Sequence, residues 1–240
     1  MQSPNRSLAD VSPSKALLWC NFSTQFDVNS VRCCENLGRA PGAPRLLTMG
    51  AGSGASMPTQ LAGRHGISLN GAQYVDTGII DPFERTDRFT LFAYASAVTT
   101  GGDLISSGDD AQNIRGIVLT ASGTQYGYLI NTDASNILSL RSVSVYNTVE
   151  SKSYALTYGG SSANAAVYLK GSVATITTAD TLSATVKSGK PFLIGARHNG
   201  VNKSERIVGV VHNAMIFPWE LTAQQVQYLH RYCLTNINAA

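Results

Sequence analysis

The sequence predicts an all-β protein: a two-sheet antiparallel jelly-roll sandwich with one short C-terminal helix. It contains 22 glycines in 240 residues and many Ser, Thr and Asn residues, a composition typical of short strands joined by many turns. Charged residues make up 14% of the chain, below the roughly 25% of an average soluble protein, so long charged helices are disfavoured. Short apolar stretches with alternating pattern recur between turn residues, as in a sandwich.

The chain is long enough for one large β-domain. Residues 1–15 are polar, contain Pro4 and Pro13, and have no apolar periodicity, so we expect an N-terminal arm that a neighbouring subunit or a groove on the domain holds. Residues 16–22, Ala-Leu-Leu-Trp-Cys-Asn-Phe, are the first predicted strand and open a single domain over residues 16–240.

A long loop is predicted at residues 38–63, where Gly, Ala and Pro dominate. Loops of this length inside a compact domain are usually functional or disordered. The segment is therefore a candidate contact surface, with a flexible connection as the alternative.

The remaining strands follow as short runs, most with one apolar face, separated by turn residues. They are predicted at residues 65–69, 73–77, 88–95, 103–107, 116–120, 126–130, 137–140, 153–158, 165–169, 173–177, 191–195 and 207–217. Asn70-Gly71 and Lys170-Gly171 are the strongest turn signals.

One helix is predicted to begin at Thr222 and to end near Leu234. Thr222 can cap the first turn while Gln225 reaches back, and Leu221 and Val226 can form a hydrophobic staple. The apolar stripe that should face the sandwich consists of Val226, Leu229 and Cys233.

Several ordered segments resemble the laminin-G-like domains of the concanavalin-A-like lectin/glucanase superfamily. They are GISLNGAQYV at residues 66–75, FTLFAY at 89–94, YALTY at 154–158, VYLKG at 167–171, FLIG at 192–195, and GVVHNAMIF at 209–217 leading into LTAQQV at 221–226. Tyr94 and Ser151 replace tryptophans that such domains often carry. The resemblance covers most of the chain and implies two antiparallel sheets in jelly-roll order.

The same resemblance indicates a binding or structural role, because such domains occur in adhesive proteins and in bacteriophage virion proteins. We expect a virion component, such as a head-decoration or tail-appendage protein, that docks on neighbouring capsid or tail subunits and forms a homo-oligomer or lattice. By analogy of fold alone, the expected location is the virion.

The charge and hydropathy patterns exclude two classes of partner. The formal charge is +3, with scattered Lys and Arg residues, so nucleic acid is not an expected ligand. No stretch approaches the ~20 apolar residues of a membrane span, and no apolar signal segment follows the first residues. We therefore expect synthesis in the host cytoplasm without a signal peptide.

The four cysteines are Cys20, Cys33, Cys34 and Cys233. Adjacent residues such as Cys33 and Cys34 cannot easily bridge each other. No C-x-x-C pair is present, so a zinc ribbon is not indicated. Buried free thiols are the favoured interpretation, and a Cys20–Cys233 bridge is the alternative.

The acidic residues do not suggest a catalytic site. A glycoside hydrolase needs two carboxyl groups about 5 to 10 Å apart. The five glutamates are scattered, and Asp76 and Asp81 near a predicted strand end are interpreted as exposed rim charges. The four histidines lack metal-site spacing and are interpreted as surface or packing residues. We therefore expect no enzymatic activity, with a glycoside hydrolase as the least favoured hypothesis.

One turn is a candidate calcium site. Asp109, Asp110 and Asn113 place two carboxylates and an amide in a single connection, and Asp103 can add a ligand if its strand ends beside that turn. A solvated turn is the alternative. A calcium-assisted lectin is accordingly the second functional hypothesis, whereas no other cofactor is expected.

A surface that binds cell-surface glycans would need exposed aromatic rings among polar groups. Tyr126, Tyr128, Tyr146 and Trp219 are the candidates. Tyr126 and Tyr128 fit better as a packing pair on one strand face, and Trp219 fits better as a wedge under the helix.

Overall fold

The computed structural model describes residues 7–22, 25–28, 30–52, 55–60, 65–100, 102–112, 115–121, 125–130, 136–142 and 151–238. Within these residues the chain forms two large antiparallel sheets, a small hairpin and one α-helix. The predicted all-β jelly-roll sandwich with a C-terminal helix is confirmed.

The first sheet has strand order β15-β14-β13-β8-β20-β6-β5, and β1 pairs with β20 outside this path. Its strands are β1 (Leu18–Cys20), β5 (Thr59–Gln60), β6 (Ile67–Asn70), β8 (Arg88–Thr100), β13 (Lys152–Gly159), β14 (Ala165–Leu169), β15 (Ser172–Val173) and β20 (Val208–Phe217).

The second sheet has strand order β16-β12-β11-β10-β9-β17-β7-β4-β3-β2. Its strands are β2 (Gln25–Val28), β3 (Val31–Glu35), β4 (Leu46–Ala51), β7 (Gln73–Ile80), β9 (Asp103–Ser106), β10 (Gly116–Thr120), β11 (Gln125–Ile130), β12 (Ile137–Ser142), β16 (Ile176–Asp180) and β17 (Pro191–Ile194).

The main core lies between the two sheets, where alternate residues of each strand point inward. In β7, for example, Val75 and Ile79 are buried in this core, whereas Tyr74 and Asp76 point to the opposite face and are half-buried. The second sheet therefore has an outer face that carries polar and aromatic side chains.

The outer face of the first sheet is covered by the helix α1 (Ala223–Asn238). The predicted cap is confirmed: the Thr222 amide donates to Gln225 Oε1 at 3.0 Å, and the Gln225 amide donates to Thr222 Oγ1 at 3.3 Å. The predicted stripe is buried in a second apolar cluster beneath the helix. The helix extends four residues beyond the predicted end, because no glycine or proline follows Leu234 to stop it.

Residues at the start of the described chain pack onto the same helix. Val11 is buried in the second cluster, and Gln225 Nε2 donates to the Ser7 carbonyl at 3.0 Å. Part of the predicted arm thus lies on the domain itself, whereas residues 1–6 are outside the described part.

Two local predictions are corrected by the structure. The segment predicted as one long loop, residues 38–63, contains β4 and β5, because Leu47 and Met49 alternate into the core. Asn70-Gly71 joins strands of different sheets and forms a corner, since β6 and β7 do not pair. Lys170-Gly171 does form the predicted hairpin turn between β14 and β15, with positive φ at both residues.

In the described part of the chain, no helix combines the length and apolar character needed to cross a bilayer.

Candidate functional site

A short hairpin follows β17 and lies on the outer face of the second sheet. It consists of β18 (Arg197–Asn199) and β19 (Asn202–Ser204). The His198 amide donates to the Gly108 carbonyl at 3.1 Å, which ties the hairpin to the connection after β9. The hairpin thereby meets residues from distant parts of the sequence. We define the hairpin surface as five residues from three segments: Tyr74 and Asp76, Lys190, and Lys203 and Arg206.

Arg197 anchors the hairpin through two aspartates. Its guanidinium donates to both carboxylate oxygens of Asp103, at 2.7 and 3.2 Å, and to Asp110 Oδ1 at 3.0 Å. The side chains of Arg197 and Asp103 are almost fully buried, so these bonds are little screened by water. Burial raises the pKa of Asp103 to about 6, although Arg197 acts in the opposite direction.

Asp109 orients the rest of the hairpin and one lysine. Its Oδ1 accepts the amides of Ala111 and Gly200, at 3.1 and 2.9 Å, and its Oδ2 lies 3.5 Å from Lys190 Nζ. Burial alone would raise the pKa of Asp109, but the two amides and Lys190 outweigh it and the pKa is lowered. The carboxylate is therefore charged at neutral pH and holds Lys190 at the rim of the hairpin surface.

Three of the four predicted calcium ligands are thus close to the hairpin, and Asn113 lies outside the described residues. Every carboxylate oxygen of Asp103, Asp109 and Asp110 has a protein contact. The last of these oxygens, Oδ2 of Asp110, accepts a hydrogen bond from Ser204 Oγ. In the described ranges, no group of three or more His, Cys, Asp and Glu residues is arranged to hold a metal ion. Asp103 and Asp110 both bind the guanidinium of Arg197, which occupies the place of a cation between them. In this arrangement the carboxylates do not fit calcium. Calcium binding by these residues stays a prediction.

Tyr74 provides a fixed aromatic ring at the centre of the hairpin surface. Tyr74 lies opposite Gly50 in the pairing of β7 with β4, and its ring lies across this glycine. A Cβ at position 50 would overlap the ring, so only glycine lets the ring lie flat on β4. Lys203 Nζ is 5.3 Å from the ring centre, in a cation–π contact.

The polar groups around Tyr74 include both donors and acceptors. Burial lowers the pKa of Lys203, while Asp76 acts in the opposite direction. Nε of Arg206 is buried without a hydrogen-bond partner. Thr48 is exposed beside Asp76 on the same face of the sheet. A ring with neighbouring ammonium, guanidinium, carboxylate and hydroxyl groups can contact both the apolar face and the hydroxyl groups of a sugar.

Asp81 corrects the expectation of an exposed rim charge. It is 2% exposed at the end of β7, and its carboxylate accepts the Ser107 hydroxyl at 2.5 Å and the Phe83 amide at 2.9 Å. Burial raises its pKa to about 7, against the effect of both hydrogen bonds. Because both hydrogen-bond partners lie in the interior of the sandwich, we interpret Asp81 as a residue that stabilises the fold.

The histidines behave as packing residues, as expected from their spacing. His198 and His212 are buried, and His230 is half-buried against Tyr94. Burial lowers the pKa of both His198 and His230, so both side chains favour the neutral form.

The aromatic residues proposed from sequence did not identify the hairpin surface. Trp219 is buried beside Phe217 under the helix, which confirms the predicted wedge. The side chains of Tyr126, Tyr128 and Tyr146 lie outside the described part. Tyr74 was missed because its significance depends on Gly50 and Lys203, which are distant in sequence.

A second aromatic surface lies on α1, on the opposite side of the sandwich. Tyr228, Arg231, Tyr232 and Thr235 line an open depression of about 380 Å³. Tyr232 contacts Trp19 edge-to-face, with ring centres 5.6 Å apart. This surface contains no acidic group, in contrast to the hairpin surface.

Comparisons with known proteins identify no family and no curated relative. No family model matches the chain, and no curated protein matches it. Solved structures do match, at low sequence identity, and these similarities concern the fold alone.

Domain 4 of AbnA, a GH43 extracellular arabinanase from Geobacillus stearothermophilus solved with arabinotriose, has a TM-score of 0.54 and 16% identity, covering 79% of this chain and 90% of that one. The Ruminococcus gnavus IT-sialidase CBM40, bound to alpha2,3 sialyllactose, has a TM-score of 0.53 and 16% identity over 72% of this chain and 97% of that one.

A mutant Trypanosoma rangeli sialidase displaying trans-sialidase activity has a TM-score of 0.58 and 14% identity over 92% of this chain. The present chain corresponds to 33% of that enzyme's length. Together with the strand topology, these matches show a jelly-roll sandwich fold. The laminin-G-like resemblance and the virion role stay predictions.

Proposed function

We propose that the protein is a non-enzymatic carbohydrate-binding module and that its glycan contacts are on the hairpin surface. The observation that carries the proposal is the Tyr74 ring, laid flat on Gly50 and surrounded by Lys203, Asp76 and Arg206. Sugar rings offer C–H groups on one face and hydroxyl groups at the edge, which this combination complements.

The structural setting supports this choice. The buried Arg197 network and Asp109 hold the hairpin and Lys190 in place before any ligand arrives, so little ordering is needed on binding. Two domains of similar fold were solved with arabinotriose and with alpha2,3 sialyllactose, and this similarity also supports a carbohydrate ligand.

The proposal can be tested by glycan-array screening followed by calorimetry on the intact chain. Arabinotriose and alpha2,3 sialyllactose serve as first defined probes beside the array. We expect Tyr74→Ala to weaken binding of the identified glycan by about tenfold, because the accessible part of the ring is lost and Lys203 loses the ring over which it lies.

Tyr228→Ala is the matched control, since Tyr228 is an exposed tyrosine on α1. It should leave the affinity within about twofold. If Tyr228→Ala abolishes binding and Tyr74→Ala does not, the site is on the helix; if no glycan binds, the proposed function is wrong.

A second candidate function is docking on neighbouring protein subunits, as expected for a virion component. The edge of the second sheet carries four exposed apolar side chains on its outer face, which we call the edge patch. The edge patch consists of Phe26, Val28, Val31 and Leu46. Exposed apolar residues on an edge strand and on the two strands beside it favour association with another chain.

A further inference from the structure

The structure brings two cysteines of different sheets into contact. Cys20 is on β1 of the first sheet and Cys34 is on β3 of the second sheet. Both side chains are fully buried in the main core, and their Sγ atoms are 3.8 Å apart. This is van der Waals contact between two sulfur atoms across the sandwich.

The other two cysteines are placed where they cannot join this pair. Cys33 points to the outer face, where its Sγ donates to the Val31 carbonyl at 3.5 Å. Cys233 is on the buried face of α1, in the second apolar cluster on the other side of the first sheet. The Cys20–Cys233 alternative is therefore not the arrangement in the structure, in which all four thiols are free.

We propose that Cys20 and Cys34 are an oxidation site that forms an inter-sheet disulfide when the chain folds in the presence of a small-molecule disulfide. A disulfide requires an S–S distance of about 2.05 Å, so the sulfur atoms must approach by about 1.8 Å. The cross-link would close the segment that contains β2 and would tether the edge patch to the first sheet.

The reaction is an ordinary thiol–disulfide exchange. The Cys20 thiolate attacks one sulfur of oxidised glutathione and forms a mixed disulfide, and one glutathione thiolate leaves. The Cys34 thiolate then attacks the Cys20 sulfur and displaces the second glutathione. Two protein thiols lose two protons and two electrons, and oxidised glutathione becomes two reduced molecules.

The burial of the pair determines when the reaction occurs. Burial raises the pKa of the Cys20 thiol well above its usual value, and the contact with Cys34 acts in the same direction. The reactive thiolate is therefore suppressed in the finished core. Oxidation belongs to the folding chain, and the folded reduced protein should react only slowly.

The test is refolding of the full chain with oxidised and reduced glutathione, followed by alkylation and intact mass measurement. We expect a product that carries two alkyl groups, whereas the reduced chain carries four. After the alkyl groups are subtracted, the product should be two hydrogens lighter than the reduced chain. Trypsin should then yield residues 16–32 linked to residues 33–39, since cleavage follows Lys15, Arg32 and Arg39. The oxidised product should also melt roughly 5 °C higher than the reduced one.

Single variants identify the partners. Cys33→Ser and Cys233→Ser should keep the linked peptide, whereas Cys20→Ala and Cys34→Ala should lose it. If the wild-type chain refolds to its native circular dichroism spectrum with four free thiols, or if the link disappears in Cys33→Ser, the proposal is overturned. Glycan binding is measured separately, so the two proposals can fail independently.

Discussion

Asp81 shows how a single buried carboxyl group makes stability depend on pH. Its pKa is about 7 in the folded protein, compared with about 3.8 for a free aspartate. The folded state therefore binds the proton more tightly than the unfolded state. Stability attributable to this group is highest below about pH 4 and is lost as the pH rises through 7.

Replacing Asp81 with Asn should stabilise the protein at high pH. The amide oxygen can still accept the Phe83 amide, and the cost of burying a charge is removed. We expect a gain of up to about 4 kcal/mol in the free energy of unfolding at pH 8 and little change at pH 4. Urea unfolding of both proteins at the two pH values measures this, and equal differences at both would contradict the assignment.

At the scale of elements, the β18–β19 hairpin depends on one buried guanidinium. Arg197 bonds to Asp103 and Asp110, and each of these carboxylates belongs to a different segment after β8. Removing one partner of a buried ion pair leaves a desolvated charge, which is strongly destabilising. The hairpin surface should therefore lose its shape when Arg197 is replaced.

Arg197→Met is expected to lower the free energy of unfolding by about 3 kcal/mol at pH 8. The loss should be smaller at pH 5, because Asp103, with a pKa of about 6, is then protonated. Arg32→Met is the matched control, since Arg32 pairs with Asp27 on the surface, where water screens the pair, and its loss should change the stability far less. Equal losses in the two variants would argue against the anchoring role.

The same element bears on the calcium prediction, which an experiment can test. Arg197 already neutralises the carboxylates that a metal would use. We expect the thermal midpoint of the intact protein to be the same in calcium and in a chelator. A calcium-dependent rise would instead support the calcium-assisted lectin, by linkage of the metal to the folded state.

At the scale of the whole molecule, the two sheets differ in how their outer faces are covered. The helix and residues near Val11 cover the first sheet, whereas the hairpin lies over the outer face of the second sheet near Tyr74. The hairpin surface and the edge patch consequently lie on one side of the sandwich. A second subunit bound to the edge patch would therefore lie beside the hairpin surface.

Self-association of the protein tests the edge patch. We expect the sedimentation coefficient to rise with concentration, and Val28→Lys to suppress this, because a charge opposes apolar association on an edge strand. Val173→Lys is the control, as Val173 is exposed on β15 of the other sheet. A wild-type chain that stays monomeric at all concentrations would contradict self-association through this edge.

Local signals in the sequence predicted much of the fold. The alternation in residues 73–77 predicted β7, and Thr222 with Gln225 predicted the start of α1, because pleating and capping involve neighbouring residues. β4 was missed because the glycines around Leu47 and Met49 indicated a loop. Its strand conformation comes from pairing with β3 and β7, which is a tertiary effect.

The candidate site could not be predicted in the same way. The sequence by itself determined the two-sheet class, the helix and its buried stripe, since these depend on residues within one or two turns. Only the tertiary structure decided that Arg197 lies between Asp103 and Asp110, that Tyr74 lies across Gly50, and that Cys20 contacts Cys34. These contacts join residues 14 to 94 positions apart, and strand pairing together with the packing of the sheets and the hairpin, which have no local signal, sets which of them meet.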